Sequence, residues 1–188
     1  LVHRSRYNEV VDHMSQKYKD LIVRPAINDG ALGPLISERQ KSIVEDFISK
    51  GQRLNLVAQG EIDSSAPTKG HYVAPHLFAD VPEDHILAKD EIFGPVQVIM
   101  PFDTEEEAIS IANGTDYGLV ASIWTNDKSF AENFGKNVET GTFFMNRCDY
   151  LDPGLAWTGV KDTGIGVTLS VLGFDHLTRA KSYHIRNI

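Results

Sequence analysis

Tyr7, Val10, Val11, Met14, Tyr18, Leu21 and Ile22 recur at helical spacing while Asp12, Gln16, Lys17 and Lys19 fill the opposite side, which predicts an amphipathic helix closed by Arg24-Pro25. Leu1 to His3, just before it, reads as the tail of a short strand. Ser37 and Gln40 have the spacing of a capping box ahead of an apolar stripe at Ile43, Val44, Phe47 and Ile48, so a second helix runs to about Gly51. Leu54 to Ala58 is a strand candidate, and Gly60 to Gly70 a polar surface loop. Tyr72-Val73 and Leu77-Phe78 flank a proline and suit edge or extended structure. Val96 to Met100 is a five-residue run compatible with a strand buried on both faces.

The second half repeats the pattern with shorter elements. Thr104 and Glu107 form another capping box before Ala108, Ile109, Ile111 and Ala112, with Gly114 as the stop. Gly118 to Trp124 reads as strand, Asp127 to Val138 as a helix whose apolar side is Phe130, Ala131, Phe134 and Val138, and Thr142 to Met145 as strand. Strands alternating with helices imply βαβ units, hence an α/β fold with a largely parallel sheet and flanking helices. Gly164 to Thr178 is mixed loop and helix. Lys181 to Ile188 closes as a two-faced strand that needs a neighbour. No internal repeat and no dividing linker is visible, so one domain is expected.

A chain of 188 residues has room for a sizeable core, burying roughly 70% of its unfolded surface. Its net charge of −8 argues against nucleic acid or an anionic membrane as the main partner, and no apolar run approaches the length of a membrane span. The single cysteine, Cys148, excludes an internal disulfide framework and fits a reducing, cytoplasmic setting. The chain opens on Leu1-Val2-His3-Arg4 without an initiator Met, which suggests a segment of something longer. Seven histidines (His3, His13, His71, His76, His85, His176 and His184) show no His-Glu-x-x-His pair and no cysteine partner at zinc-site spacing, so no metal site is expected.

The most informative stretch is Glu91-Ile92-Phe93-Gly94-Pro95. Pro95 fixes its own φ and disfavours helix at Gly94, so the run is a stiff turn. If it is extended, Glu91 and Phe93 project to one side. A carboxylate beside a ring suits a sugar diol next to a flat heterocycle, the carboxylate accepting hydroxyl protons and the ring supplying stacking area, as in a ribose attached to nicotinamide. The plainer alternative is a strand-entry turn with a buried Phe.

Gly33-Pro34-Leu35-Ile36, Glu91-Ile92-Phe93-Gly94-Pro95-Val96, Glu107-Ala108-Ile109 with Ala112-Asn113, Tyr117-Gly118-Leu119, Gly141-Thr142, Asn146, Lys161, Gly164 and Gly166 resemble, in this order, the C-terminal portion of the catalytic domain of aldehyde dehydrogenases. The resemblance implies that residues 1–180 are the later part of that domain, truncated at its N-terminus, and that residues 181–188 are a terminal assembly strand. It implies a cysteine thiolate that attacks an aldehyde, a thiohemiacetal that gives hydride to NAD or NADP, and release of a carboxylic acid. Glu91 then matches the glutamate that holds the nicotinamide ribose and Phe93 the aromatic beside the nicotinamide. Asp149, Tyr150 and Leu151, after Asn146, become candidates for the aldehyde channel. Two stretches depart from the family: Trp157-Thr158-Gly159 stands where Phe-Gly-Gly is common, and Val167-Thr168 where Arg-Glu is common.

The same resemblance places the nucleophile, after a Gly-Gln pair, together with the general-base glutamate, the oxyanion asparagine and the dinucleotide fold, in a portion this chain does not contain. The chain by itself is expected to be inactive and to carry no firmly bound cofactor. Cys148 falls on the substrate loop; Arg147 favours its thiolate, Asp149 opposes it, and no histidine base is near in sequence. Gly164-Ile165-Gly166 is half a phosphate loop, with Leu169 where a third glycine belongs, and reads better as a turn. A non-catalytic interaction or scaffolding module of the same fold is the alternative class, and a reductive acyl-phosphate or acyl-CoA variant the nearer rival. Either way the two-faced end strand points to a homo-oligomer.

Overall fold

A computed structural model describes residues 1–148 and 150–187, which fall into two compact units, residues 1–115 and 116–188. The boundary between the units follows a helix that ends at Asn113, with Gly114 as its C-cap. The fold is α/β throughout, with small, mostly parallel sheets. Among the described residues no helix is long and apolar enough to cross a membrane.

The first unit is built on a three-stranded sheet in the order Asn55–Gln59, His76–Ala79, Val96–Ile99, the first pair antiparallel and the second parallel. Leu77 and Phe78, expected at an edge, are in the central strand, at 0% and 2% exposure. Pro75 does not forbid this because it lies just before the strand, where its missing N–H removes no ladder bond. Alternation along this strand divides the core. Phe78 packs among Val44, Phe47, Val81 and Leu87, whereas Leu77 packs with Tyr7, Ala58 and Ile99. Each such side chain stabilises the fold by about 1.5–3 kcal/mol through burial. Val96–Ile99 is buried less evenly than expected, since Gln97 is exposed.

Helix α1, Tyr7–Lys19, lays Tyr7, Val11, Met14 and Tyr18 on the Leu77 face; α2, Glu38–Lys50, lays Val44 and Phe47 on the Phe78 face. Helix α1 stops earlier than its apolar spacing predicts. Ile22-Val23 forms a parallel pair with Glu61-Ile62, so a non-local ladder takes the last apolar residues from the helix and a piece from the expected polar loop. A short helix not anticipated from sequence, α3 (Ile86–Lys89), is capped by the His85 ring accepting from Leu87 N–H. Helix α4, Glu105–Asn113, starts as expected, with Thr104 Oγ1 accepting from Glu107 N–H, while the Glu107 carboxylate reaches back to Asp103 N–H at 2.7 Å. Val2–His3 pairs in parallel with Pro101–Phe102.

In the second unit Val120–Ile123 and Thr142–Met145 are parallel and are connected through α5, Lys128–Gly135, whose N-cap Asp127 accepts from Phe130 N–H at 2.9 Å. This is the βαβ unit expected from the alternation. Two antiparallel pairs follow: Tyr117–Gly118 with Val160–Lys161, and Trp157–Thr158 with Val167–Thr168. Helix α6, Ser170–His176, comes last, and residues 178–187 adopt no regular element. The anticipated end strand is therefore not paired within the described chain, and Ile188 lies outside the described residues.

One polar link fastens α1 to the sheet. The buried Tyr7 hydroxyl donates to Ile99 O at 3.1 Å and accepts from Asp80 N–H at 2.7 Å, supporting Asp80 at φ 55° just past the central strand. Burial pushes the Tyr7 phenol above its ordinary range. Tyr7→Phe should cost about 1–3 kcal/mol, measured by urea unfolding, because both backbone groups lose their partner. The folded state keeps the phenol proton at pH values where the unfolded chain releases it. Stability should therefore fall as pH rises past about 10, and Tyr7→Phe should fall less steeply.

Candidate functional site

The Glu91–Pro95 turn runs between α3 and the strand Val96–Ile99, and three contacts hold it from behind. Gln40 Nε2, from the first turn of α2, donates to Ile92 O at 3.0 Å and Phe93 O at 3.2 Å. Gly94 lies so close to the buried Val44 that any side chain there would meet the Val44 methyls. Pro95 O accepts from His76 N–H at 2.9 Å, tying the turn to the central strand. The residue pinned inward is Ile92, 8% exposed.

Glu91 and Phe93 on either side of it are exposed, Phe93 at 72%. The alternative of a buried Phe is overturned. The assumed extended geometry is also corrected: Phe93 has φ 53°, a left-handed conformation that costs a residue with a Cβ about 1–2 kcal/mol. A large ring held open to solvent at that cost has no packing reason within this unit. Gln40 was legible only as a capping residue. Its N–H does bond Ser37 Oγ at 3.2 Å, but its side chain grips the turn.

The second unit carries a concave cavity of about 180 Å³ whose wall includes Phe144, Arg147, Tyr150, Leu151, Asp152, Leu155, Trp157 and Leu169. Two of the expected channel residues, Tyr150 and Leu151, are thus brought together there; Asp149 lies outside the described residues. Asn146, at φ 56°, sets the direction of the loop by clamping one residue with both ends of its amide. Its Oδ1 accepts from Thr125 N–H at 3.0 Å and its Nδ2 donates to Thr125 O at 2.8 Å. The Arg147 guanidinium stacks on the Tyr150 ring, 4.0 Å from its centre. Leu169 lines the far wall with φ 61° and ψ 173°, followed by Ser170 at φ 54°. This strained pair had no sequence signal.

Cys148 is exposed on the same loop. Lys161 pairs with Glu139 at 2.8 Å rather than standing solvated. Of the two glycines in the expected turn, only Gly164 has a positive φ, 115°. No group of His, Cys, Asp and Glu among the described residues could hold a metal.

The profile of the aldehyde dehydrogenase family matches residues 1–183. The chain belongs to that family. Betaine aldehyde dehydrogenase 1 from Rhizobium meliloti is 35% identical over 156 residues, covering 82% of this chain and 32% of that protein. Among solved structures, aldehyde dehydrogenase from Mycobacterium tuberculosis complexed with NAD+ superimposes with TM-score 0.84 at 38% identity, covering 95% of this chain and 37% of that one. The NAD+ complex of aldehyde dehydrogenase from Bacillus cereus gives TM-score 0.87 at 33% identity, with 95% and 36% covered. The chain spans about a third of the length of the curated relatives it matches.

Within this aldehyde dehydrogenase chain the two stretches that depart from the usual pattern are ladder partners: Trp157 faces Thr168 and Thr158 faces Val167. Thr158 Oγ1 further donates to Gly166 O at 2.9 Å. Gly141, one of the aldehyde dehydrogenase positions, passes directly against Thr158 O, where a Cβ would collide. Gly94→Ala should destabilise the protein by about 1–3 kcal/mol, read as a lowered urea midpoint with unchanged slope, since the added methyl must displace Val44 from the core.

Proposed function

We propose that the chain supplies the nicotinamide-facing surface and an aldehyde pocket of an NAD- or NADP-dependent aldehyde dehydrogenase that oxidises an aldehyde to a carboxylic acid. The observation that carries this reading is the exposed pair Glu91 and Phe93 on a turn fixed by Gln40, Gly94 and Pro95, with Phe93 in a strained left-handed conformation. The donor set fits the cofactor: an accessible carboxylate accepts ribose hydroxyl protons, and an open ring face offers stacking area to a flat heterocycle. When bound, the nicotinamide accepts the hydride that leaves the aldehyde carbon. Glu91 and Phe93 act by orientation, since a turn pinned from behind loses little entropy when it engages a ligand. Tyr150 and Leu151 offer apolar surface to the body of the aldehyde.

The thiol nucleophile of this reading comes from outside these residues, because Cys148 sits exposed on the pocket loop without a histidine near it in sequence. Exposed Val171, Phe174, Leu177, Tyr183 and Ile185 support association between copies through the C-terminal segment. A monodisperse monomer in light scattering would count against that association.

In the assembled enzyme, Glu91→Ala should weaken NAD binding about tenfold by calorimetry, the loss of a charged hydrogen-bond acceptor. Phe93→Gly should weaken it too, while raising the unfolding free energy of the chain by about 1 kcal/mol as the strain is released. Unaltered cofactor affinity in both variants would sink the assignment. The 188 residues alone should form no NADH from an aldehyde, and sustained formation would overturn the external nucleophile.

A further inference from the structure

The cavity of the second unit is apolar on most of its wall and carries one cation, Arg147, among its lining residues. It is an open pocket of about 180 Å³ with Tyr150, Leu151 and Leu155 half or more exposed, so it suits a short body rather than a long chain. Arg147 is an exposed side chain with a ring contact of its own. Its guanidinium carbon lies 4.0 Å from the centre of the Tyr150 ring, a contact that restricts the side chain before any ligand arrives. None of the ion pairs among the described residues uses it. The carboxylate that shares the wall, Asp152, turns one oxygen onto Gly154 N–H at 2.8 Å. What is left is a planar donor, restricted by the Tyr150 ring, beside Leu151, Leu155 and Trp157.

We propose that Arg147 selects an aldehyde bearing a carboxylate at its far end, pairing with that group while the aliphatic body lies against Leu151, Leu155 and Trp157. A planar guanidinium accommodates a carboxylate with two parallel N–H···O bonds. The same charge repels a cationic aldehyde, so the site works by rejection as well as by attraction. This chain therefore differs in substrate class from its betaine aldehyde dehydrogenase relatives, whose named substrate is cationic. The inference rests on the cavity being the place of the aldehyde.

The test separates binding from turnover. Trp157 lines the cavity, and the one other tryptophan, Trp124, is replaced by Phe so that Trp157 fluorescence reports occupancy. Three unreactive amides of equal length are titrated into the protein: succinamate, butyramide and 4-aminobutyramide. Succinamate should bind at least about tenfold more tightly than butyramide, and 4-aminobutyramide most weakly. Arg147→Gln should reduce succinamate to the level of butyramide, and Arg147→Lys should keep part of the preference, because it retains the charge without the planar fork. Equal binding of succinamate and butyramide, no binding of any amide, or a preference that survives Arg147→Gln overturns the proposal. The aldehyde dehydrogenase reading is judged by a different result: it fails if the assembled enzyme forms no NADH from either 4-oxobutanoate or butanal, whatever the amides do.

Discussion

The turn that presents Glu91 and Phe93 depends on the absence of a side chain at Gly94. The backbone there touches Val44, a residue with no exposed surface in the middle of the core. Core packing is close to crystalline in density, so this contact transmits the position of α2 to the turn with little slack. The Gln40 amide, one turn earlier on the same helix, fixes the two carbonyls on either side of the Phe93 α-carbon. A left-handed Phe93 persists because its surroundings over-determine it. The rigidity of the exposed pair is thus a property of α2 and the sheet beneath, and only secondarily of the five residues that form the motif.

The second unit uses a different device. Its loop is directed by amide clamping at Asn146 and by ring stacking at Arg147 and Tyr150, both of which involve exposed groups. Such contacts orient a loop while leaving it more freedom than core packing does. The two units thus fix their exposed side chains by different kinds of contact.

Much of this was legible from local signals. The helix starts at Ser37 and Thr104, the helix that opens at Asp127 and the strand Thr142–Met145 follow from side-chain chemistry within a few residues, and they appear where expected. The errors arise where distant residues decide. Ile22 has helical spacing but is claimed by Glu61; Leu77-Phe78 carry an edge signal in Pro75 but become central because strands come from both sides. The exposure of Glu91 and Phe93 agreed with the reading of their chemistry, yet the left-handed φ of Phe93 and the grip of Gln40 have no signature in spacing. The same holds for Leu169, whose unusual backbone becomes meaningful only beside the cavity it lines.

Trp157-Thr158 and Val167-Thr168, far apart in a linear reading, face each other across one antiparallel ribbon. Cross-strand neighbours contribute through their fit to each other, so neither strand's residues have a fixed value on their own. Reverting one strand alone to the residues common in the family would put an arginine opposite Thr158 or a glycine opposite Val167, so a change on either strand is felt through the residue it meets across the ribbon.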